Sequence, residues 1–227
     1  MPRKQRNRRD DAPRPGPERR PPRGRHEVRI IGGRWRGRKI RFPAASTIRP
    51  SPDRVRETLF NWLAPAIRGT RCLDLFAGSG ALGFESLSRG AASAVLVERD
   101  AAVVGHLKSL AKELAADTAS VVQGDALDWL SRPGERFDVV FLDPPFGSGL
   151  LPDLLRRLEG GGWLAPGAMI YIECRKTEGA PELPAGWRMH RRGQAGDVGY
   201  YLVTGPAADA PTPVTGANPP DQGGQSK

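Results

Sequence analysis

The sequence predicts an α/β fold: a mostly parallel sheet with helices on both faces, one antiparallel strand near its end, and a small basic β-hairpin ahead of it. Three observations carry that expectation. From residue 71 onward, short apolar runs alternate with stretches of helical periodicity, the pattern of strands joined by crossover helices. The first run, RCLDLF (71–76), passes directly into a glycine-rich turn and a helix. The last two, WRMHRR (187–192) and VGYYLV (198–203), are joined by a loop with Gly193 and Gly196, so they pair as a hairpin and one strand runs antiparallel.

Residues 1–26 read as a disordered basic arm, because Pro13, Pro15, Pro17, Pro21 and Pro22 forbid a helix and no apolar periodicity accompanies them. Residues 27–204 read as a single domain. Its first part, 27–45, is a basic hairpin in which Val28, Ile30, Ile40 and Phe42 alternate with Arg29 and Arg41, and Trp35 lies near the tip among Gly32, Gly33 and Gly37. A helix follows in SPDRVRETLFNWLAP. Ser51 can cap it, Pro52 suits its first position, and Val55, Leu59, Trp62 and Leu63 recur at helical spacing up to Pro65. The core, 71–204, then alternates. Strands are expected at 71–76, 93–98, 119–123, 137–143 and 168–174 before the closing pair, and helices at 80–89, 100–115, 126–131 and 150–159. Residues 205–227 read as a disordered tail.

Composition narrows the class. A chain of 227 residues suits one domain with extensions. No stretch approaches the roughly 20 apolar residues of a membrane helix, and no apolar run follows the charged N-terminus as in a secretory signal. Two cysteines, Cys72 and Cys174, and three scattered histidines make neither a disulfide framework nor a metal-ligand spacing. A cytoplasmic protein without metal or membrane partner is expected; the oligomeric state is not inferable. Charge is uneven. Residues 1–42 hold 16 Lys/Arg against four acids, a net of +12, while the remainder holds 19 against 21, a net of −2. A local cationic arm of this kind meets a polyanion, and nucleic acid is favoured over a merely solubilising tail.

Four motifs carry chemistry. In LDLFAGSGALG (73–83), Gly78 and Gly80 permit a tight turn and leave room for a ligand at a helix N-terminus. The segment satisfies GxGxxG, so a dinucleotide site is one reading. Asp74 beside the turn would repel a pyrophosphate and suits a ligand with a positive end, such as S-adenosylmethionine. Glu98, ending the next strand, can take two ribose hydroxyls, or can be an ordinary strand-end acid. Asp125, in QGDALDWL, can accept from an adenine amine while the Ala126 amide meets a ring nitrogen; it also suits a helix N-cap, and both roles are compatible. DPPF (143–146) is the most specific. Its prolines remove backbone donors, Asp143 and the Pro144 carbonyl can accept both hydrogens of one planar amine, and Phe146 offers a face to a base, a combination suited to amine methylation on a flipped nucleobase.

Taken together, LDLFAGSGALG, VERD, GDA and DPPF resemble the motifs of class I S-adenosylmethionine-dependent methyltransferases. The texts RIIGGRWRGRKI and IRPSPDRVRETLFNWLAP narrow the resemblance to the bacterial 16S rRNA guanine-N2 methyltransferases of the RsmD type, over about residues 28–203. One departure is Ser51, where that family usually has threonine; the hydroxyl is kept. The resemblance implies a seven-stranded class I sheet, S-adenosylmethionine as cofactor, and methylation of N2 of one guanine, of the guanine-966 type, in 16S rRNA within the small ribosomal subunit. It implies that Asp74, Gly78 and Gly80 flank the methionine part, with Phe76 in the same cofactor set, that Glu98 holds the ribose, and that Asp125 and Ala126 hold the adenine. Asp143, Pro144, Pro145 and Phe146 would hold the guanine. Arg34, Trp35, Arg36, Arg38, Lys39, Arg49 and Arg54 are the candidate RNA contacts. Three rivals are an adenine-N6 nucleic-acid methyltransferase, which a DPPF loop also serves, an NAD(P) oxidoreductase using GSGALG, and a catalytically dead RNA-binding protein.

Overall fold

The computed structural model describes residues 27–42 and 51–205; the basic arm, residues 43–50 with Arg49, and the tail from residue 206 lie outside them. In chain order the elements are β1 (Glu27–Arg29), β2 (Lys39–Arg41), α1 (Asp53–Leu63), β3 (Arg71–Asp74), α2 (Ala81–Ser88), β4 (Ser93–Glu98), α3 (Ala101–Glu113) and β5 (Ala119–Gln123). There follow α4 (Ala126–Leu130), β6 (Phe137–Leu142), α5 (Leu151–Gly160), β7 (Leu164–Arg175), β8 (Arg188–Ala195) and β9 (Val198–Thr204). β1 and β2 pair antiparallel; the other seven strands form one sheet in the order β5-β4-β3-β6-β7-β9-β8. All pairings up to β7 are parallel, and β9 inserts antiparallel between β7 and β8.

The period-2 alternation of the strands builds two cores. Val139 and Phe141 of β6 face one cluster, with Leu59 and Phe60 of α1, Phe84 of α2 and Leu107 of α3. Val140 and Leu142 face the other, with Leu130 of α4 and Leu154 and Leu158 of α5. From β3 the chain winds outward to β4 and β5, then returns to the other side of β3 with β6. Such a reversal of strand order opens a crevice at the carboxyl ends of the two central strands. Asp74 ends β3 and Asp143 follows β6, so the two motifs flank that crevice.

The hairpin is fastened to the sheet domain. Glu85 of α2 is wholly buried, and its two oxygens accept the backbone N–H groups of Ile31 and Gly32 at 2.7 and 2.8 Å. Ser88 Oγ donates to the Gly32 carbonyl and accepts from the Trp35 N–H. Only glycine fits at Gly33: its φ is +74°, and a Cβ there would lie 1.8 Å from the Ser88 carbonyl oxygen.

Two local expectations are corrected. Ser51 does not cap α1. Pro52 holds the N-cap position without a side-chain cap, and the Ser51 hydroxyl donates instead to Glu173 of β7, at 2.5 Å. β7 begins at Leu164 rather than 168, because Leu164 pairs with Phe137 ahead of an irregularity in the β6–β7 register that accommodates Pro166 and Gly167.

Candidate active site

The crevice at the switch point is a cleft of about 460 Å³. Asp74, Phe76, Gly78, Glu98, Asp125 and Ala126 line one part of it, and Asp143, Pro144, Pro145 and Phe146 another, with Ser51, Arg56 and Arg175 among its remaining walls. The cofactor and base-binding candidates are thus brought together, except that Gly80 sits just behind, as the left-handed N-cap of α2.

Each candidate is held by backbone hydrogen bonds that follow from its position. Asp74 is buried and accepts from the Gly83 N–H at 3.2 Å. Burial raises its pKa to about 7, against the lowering effect of the Gly83 and Phe76 N–H groups. Glu98 accepts from Gly78 N–H through one oxygen and from Asp100 N–H through the other, both at 2.9 Å, which ties the tip of β4 to the glycine turn. Asp125 caps α4: its Oδ1 takes the N–H groups of Leu127 and Asp128, leaving Oδ2 as an acceptor.

At the DPPF turn the Pro145 carbonyl accepts from Ser148 N–H, while the Pro144 carbonyl takes no hydrogen bond among the described residues. Pro144 is buried and Phe146 is 41% exposed, with the Arg175 guanidinium 6.0 Å from its ring centroid. Burial first, then the charges of Glu173 and Asp74, raise the Asp143 pKa well above the usual carboxylate range.

Two residues at or behind this cleft were not singled out in the sequence, Glu173 and Arg56. Glu173 is buried, and its Oε1 accepts from both the Ser51 and Tyr171 hydroxyls, at 2.5 and 2.7 Å. Burial raises its pKa, against the two donors. Arg56 is buried, donating to the Ser51 and Arg29 carbonyls and to Asp53. Its Nη1 has no hydrogen-bond partner among the described residues, Glu85 Oε2 being 3.9 Å away. For Glu173 the available signal was a charge inside the apolar run AMIYIEC, since such residues are rarely buried without a task; Arg56, between Arg54 and Glu57 in a charged stretch, carried no such signal.

The cleft therefore joins the buried carboxylate of Asp74 and the half-buried ones of Glu98 and Asp143 to a buried guanidinium N–H without a hydrogen-bond partner among the described residues. That fits a zwitterionic amino-acid end with an added positive charge: carboxylates for the cationic groups, Arg56 Nη1 for the carboxylate.

The RNA candidates are less uniform. Arg36 and Arg54 are exposed and without an ion pair among the described residues. Arg38 pairs with Glu113 at 3.0 Å and Lys39 with Glu27 at 2.9 Å, exposed contacts that a phosphate can displace at little cost. Trp35 is half-buried against the core, with the Arg34 guanidinium 4.0 Å from its ring centroid, so its ring is not the free stacking surface its place among arginines suggested. Arg49 lies outside the described residues.

Comparison with known proteins now places the chain. A family model described as conserved hypothetical protein 95 matches residues 28–204. Ribosomal RNA small subunit methyltransferase D of Escherichia coli K12 is 51% identical over 179 residues, 79% of this chain and 90% of that protein. This chain belongs to that family. The Haemophilus influenzae protein of the same name is 44% identical, over 80% of this chain and 95% of its own length. A solved Escherichia coli structure described as a methyltransferase matches with a TM-score of 0.75 at 50% identity, covering 80% of this chain and 99% of that one. Membership in the methyltransferase D family accords with the seven-stranded sheet and its inserted antiparallel β9. Among the described residues no helix is long and apolar enough to cross a membrane, and no group of three or more His, Cys, Asp or Glu is placed to hold a metal ion.

Proposed function

We propose that the chain transfers a methyl group from S-adenosylmethionine to the exocyclic N2 of one guanine in 16S rRNA of the small ribosomal subunit, at the position of the guanine-966 type. Methyl transfer to ribosomal RNA follows the family. The choice of guanine rests on the acceptors that line the cleft together with Phe146. Asp143 and the Pro144 carbonyl are acceptors, and the Ser51 hydrogen is committed to Glu173, so Ser51 Oγ presents only lone pairs to the cleft. Guanine sets a second donor, N1–H, beside its N2 amine. Adenine sets the N1 lone pair beside its N6 amine, which a further acceptor repels.

The bound cofactor supplies an electrophilic methyl group on a positively charged sulfur. The chain does the rest. Asp74 and Arg56 hold the charged end of the cofactor, Glu98 its ribose, and Asp125 with the Ala126 N–H its adenine. Phe146 stacks on the base. Asp143 and the Pro144 carbonyl accept the two amine hydrogens, which favours a pyramidal nitrogen and stabilises the positive charge that develops on it. The burial that raises the Asp143 pKa makes its ionised form a stronger base than an ordinary carboxylate, fit to take the proton that the methylated nitrogen sheds. A dinucleotide oxidoreductase leaves the DPPF turn idle and sets Asp74 against a pyrophosphate. Small subunits from a strain lacking the gene provide the test: N2-methylguanosine is the expected product, and N6-methyladenosine would refute the choice of base.

A further inference from the structure

A second concavity, about 530 Å³, adjoins the catalytic cleft and has no part in the chemistry above. Lys176, Arg192, Gly179, Ala180 and Tyr201 are among its walls. The link between the two is covalent: Arg175, the last residue of β7, lines the catalytic cleft, and Lys176, the next, lines the second. Their carboxyl-end position is shared by β8, since β9 runs antiparallel to both β7 and β8. Leu142, Ile172, Tyr201 and Arg192 are consecutive partners across β6, β7, β9 and β8. Arg192 thus stands three strand spacings, roughly 14 Å, from β6, which Asp143 follows.

The site is built rather than incidental. The Gly179 carbonyl accepts from the Tyr201 hydroxyl at 3.2 Å, and the Lys176 N–H donates to the Asp197 carbonyl at 2.8 Å, locking the turn after β7 onto the β8–β9 turn. A bulge at His190 lets Met189 and Arg191 pair with consecutive residues, Val203 and Leu202. Without it Arg192 would share a face with Arg188; with it, Arg192 shares the face of Tyr201 and the concavity, the re-aiming that bulges at sheet edges perform.

The charge is unspent. Arg175, Lys176, Arg188, Arg191 and Arg192 are all exposed, and none has an ion pair among the described residues. β8 carries three arginines and no acid; Glu178 and Asp197 lie in the adjoining turns. Edge arginines also discourage sheet-to-sheet aggregation, but that task needs charge of either sign and no concavity.

We propose that Lys176 and Arg192 form a phosphate-binding track for the RNA strand flanking the target nucleotide. The strand leaves the catalytic cleft past Arg175 and lays its backbone along the second concavity. This rests on the RNA-methylating reading above, and binding and turnover are therefore read separately. The full-length chain carrying Lys176→Glu and Arg192→Glu keeps a charged edge and loses the cations. Retention of small subunits on filters over a range of salt reads binding, and single-turnover methylation reads chemistry.

Binding at moderate salt should weaken at least tenfold, and the log–log salt slope should fall by about 1.4 to 1.8, the loss of two phosphate contacts. Cofactor affinity and the rate at saturating subunit should stay within twofold. The neutral pair Lys176→Gln and Arg192→Gln should give a smaller loss in the same direction. Arg132→Glu with Arg136→Glu, exposed positions in the loop before β6, removes the same net charge and should weaken binding less than threefold. Unchanged binding in the first variant, or an equal loss in the Arg132/Arg136 variant, would overturn the track. Normal dependence of binding on Lys176 and Arg192 without methyl transfer by the wild type would instead overturn the catalytic reading and leave the track standing.

Discussion

Glu85 Oε1 accepts the backbone N–H of Gly32 at 2.8 Å across 53 residues of chain. The same carboxylate binds Ile31 N–H and pairs with Arg89 at 2.7 Å, while Arg56 packs beside it at 3.9 Å. One buried acid thus joins the hairpin, α2 and the α1 arginine that reaches the catalytic cleft.

Glu85→Ala should therefore cost more than a surface charge. It strands two backbone donors and leaves the buried Arg56 without its nearest carboxylate on α2. Breaking a buried ion-pair network by removing one partner costs about 3–5 kcal/mol. Denaturant unfolding measures it; a loss below about 1 kcal/mol would mean that the hairpin docks without Glu85.

In its proposed role at the cationic end of the cofactor, Asp74 should make cofactor binding depend on pH. Its folded pKa, about 7, lies above that of an unfolded aspartate, so between about pH 4 and 7 the folded chain holds a proton that the unfolded chain has lost. The contribution of this group to stability accordingly falls as pH rises through that window and is level above it. A cation in the cleft reverses the preference and expels the proton. Affinity for S-adenosylmethionine should weaken by up to about tenfold per unit below pH 7. Calorimetry at pH 6 in buffers of different ionisation enthalpy should show close to one proton released, and fewer with S-adenosylhomocysteine, which lacks the sulfonium charge. An affinity flat from pH 6 to 8 with no proton release would remove Asp74 from the cationic end of the site.

The sheet and its glycine turn were legible because they rest on local patterns. SAVLVE and ASVVQ became β4 and β5 at the expected residues, and alternating apolar runs set the parallel order. What escaped was long-range. The sequence around Ser51 reads as a cap, yet its hydroxyl serves Glu173, 122 residues away. Trp35 reads as a stacking aromatic, yet its backbone N–H donates to Ser88 and its ring lies half-buried against the core. Glu85 and Glu173 sit in apolar runs, and their distant partners, Ile31 and Gly32 for one and Ser51 for the other, leave no trace in the neighbouring residues.

Ser51 should act through its oxygen. Ser51→Ala removes the acceptor proposed for the guanine N1–H and should slow single-turnover methylation about 10- to 100-fold, the cost of leaving a buried donor unpaired. Ser51→Thr keeps the hydroxyl and should stay within about threefold. Because Tyr171 still donates to Glu173, the fold should tolerate both. Equal rates for the two variants would dismiss Ser51 from base recognition.

Mapping the product tests the central claim most directly. Small subunits from a strain lacking the gene are treated with the wild-type chain and with Asp143→Ala, and their 16S rRNA is digested and sequenced by mass spectrometry. The expected result is N2-methylguanosine at one position with the wild type. Asp143→Ala should fall about 10²–10³-fold in rate, by analogy with loss of one group stabilising transition-state charge, with cofactor affinity unchanged. A methyl group on another atom or base, or an Asp143→Ala rate within a few-fold of wild type, would contradict it.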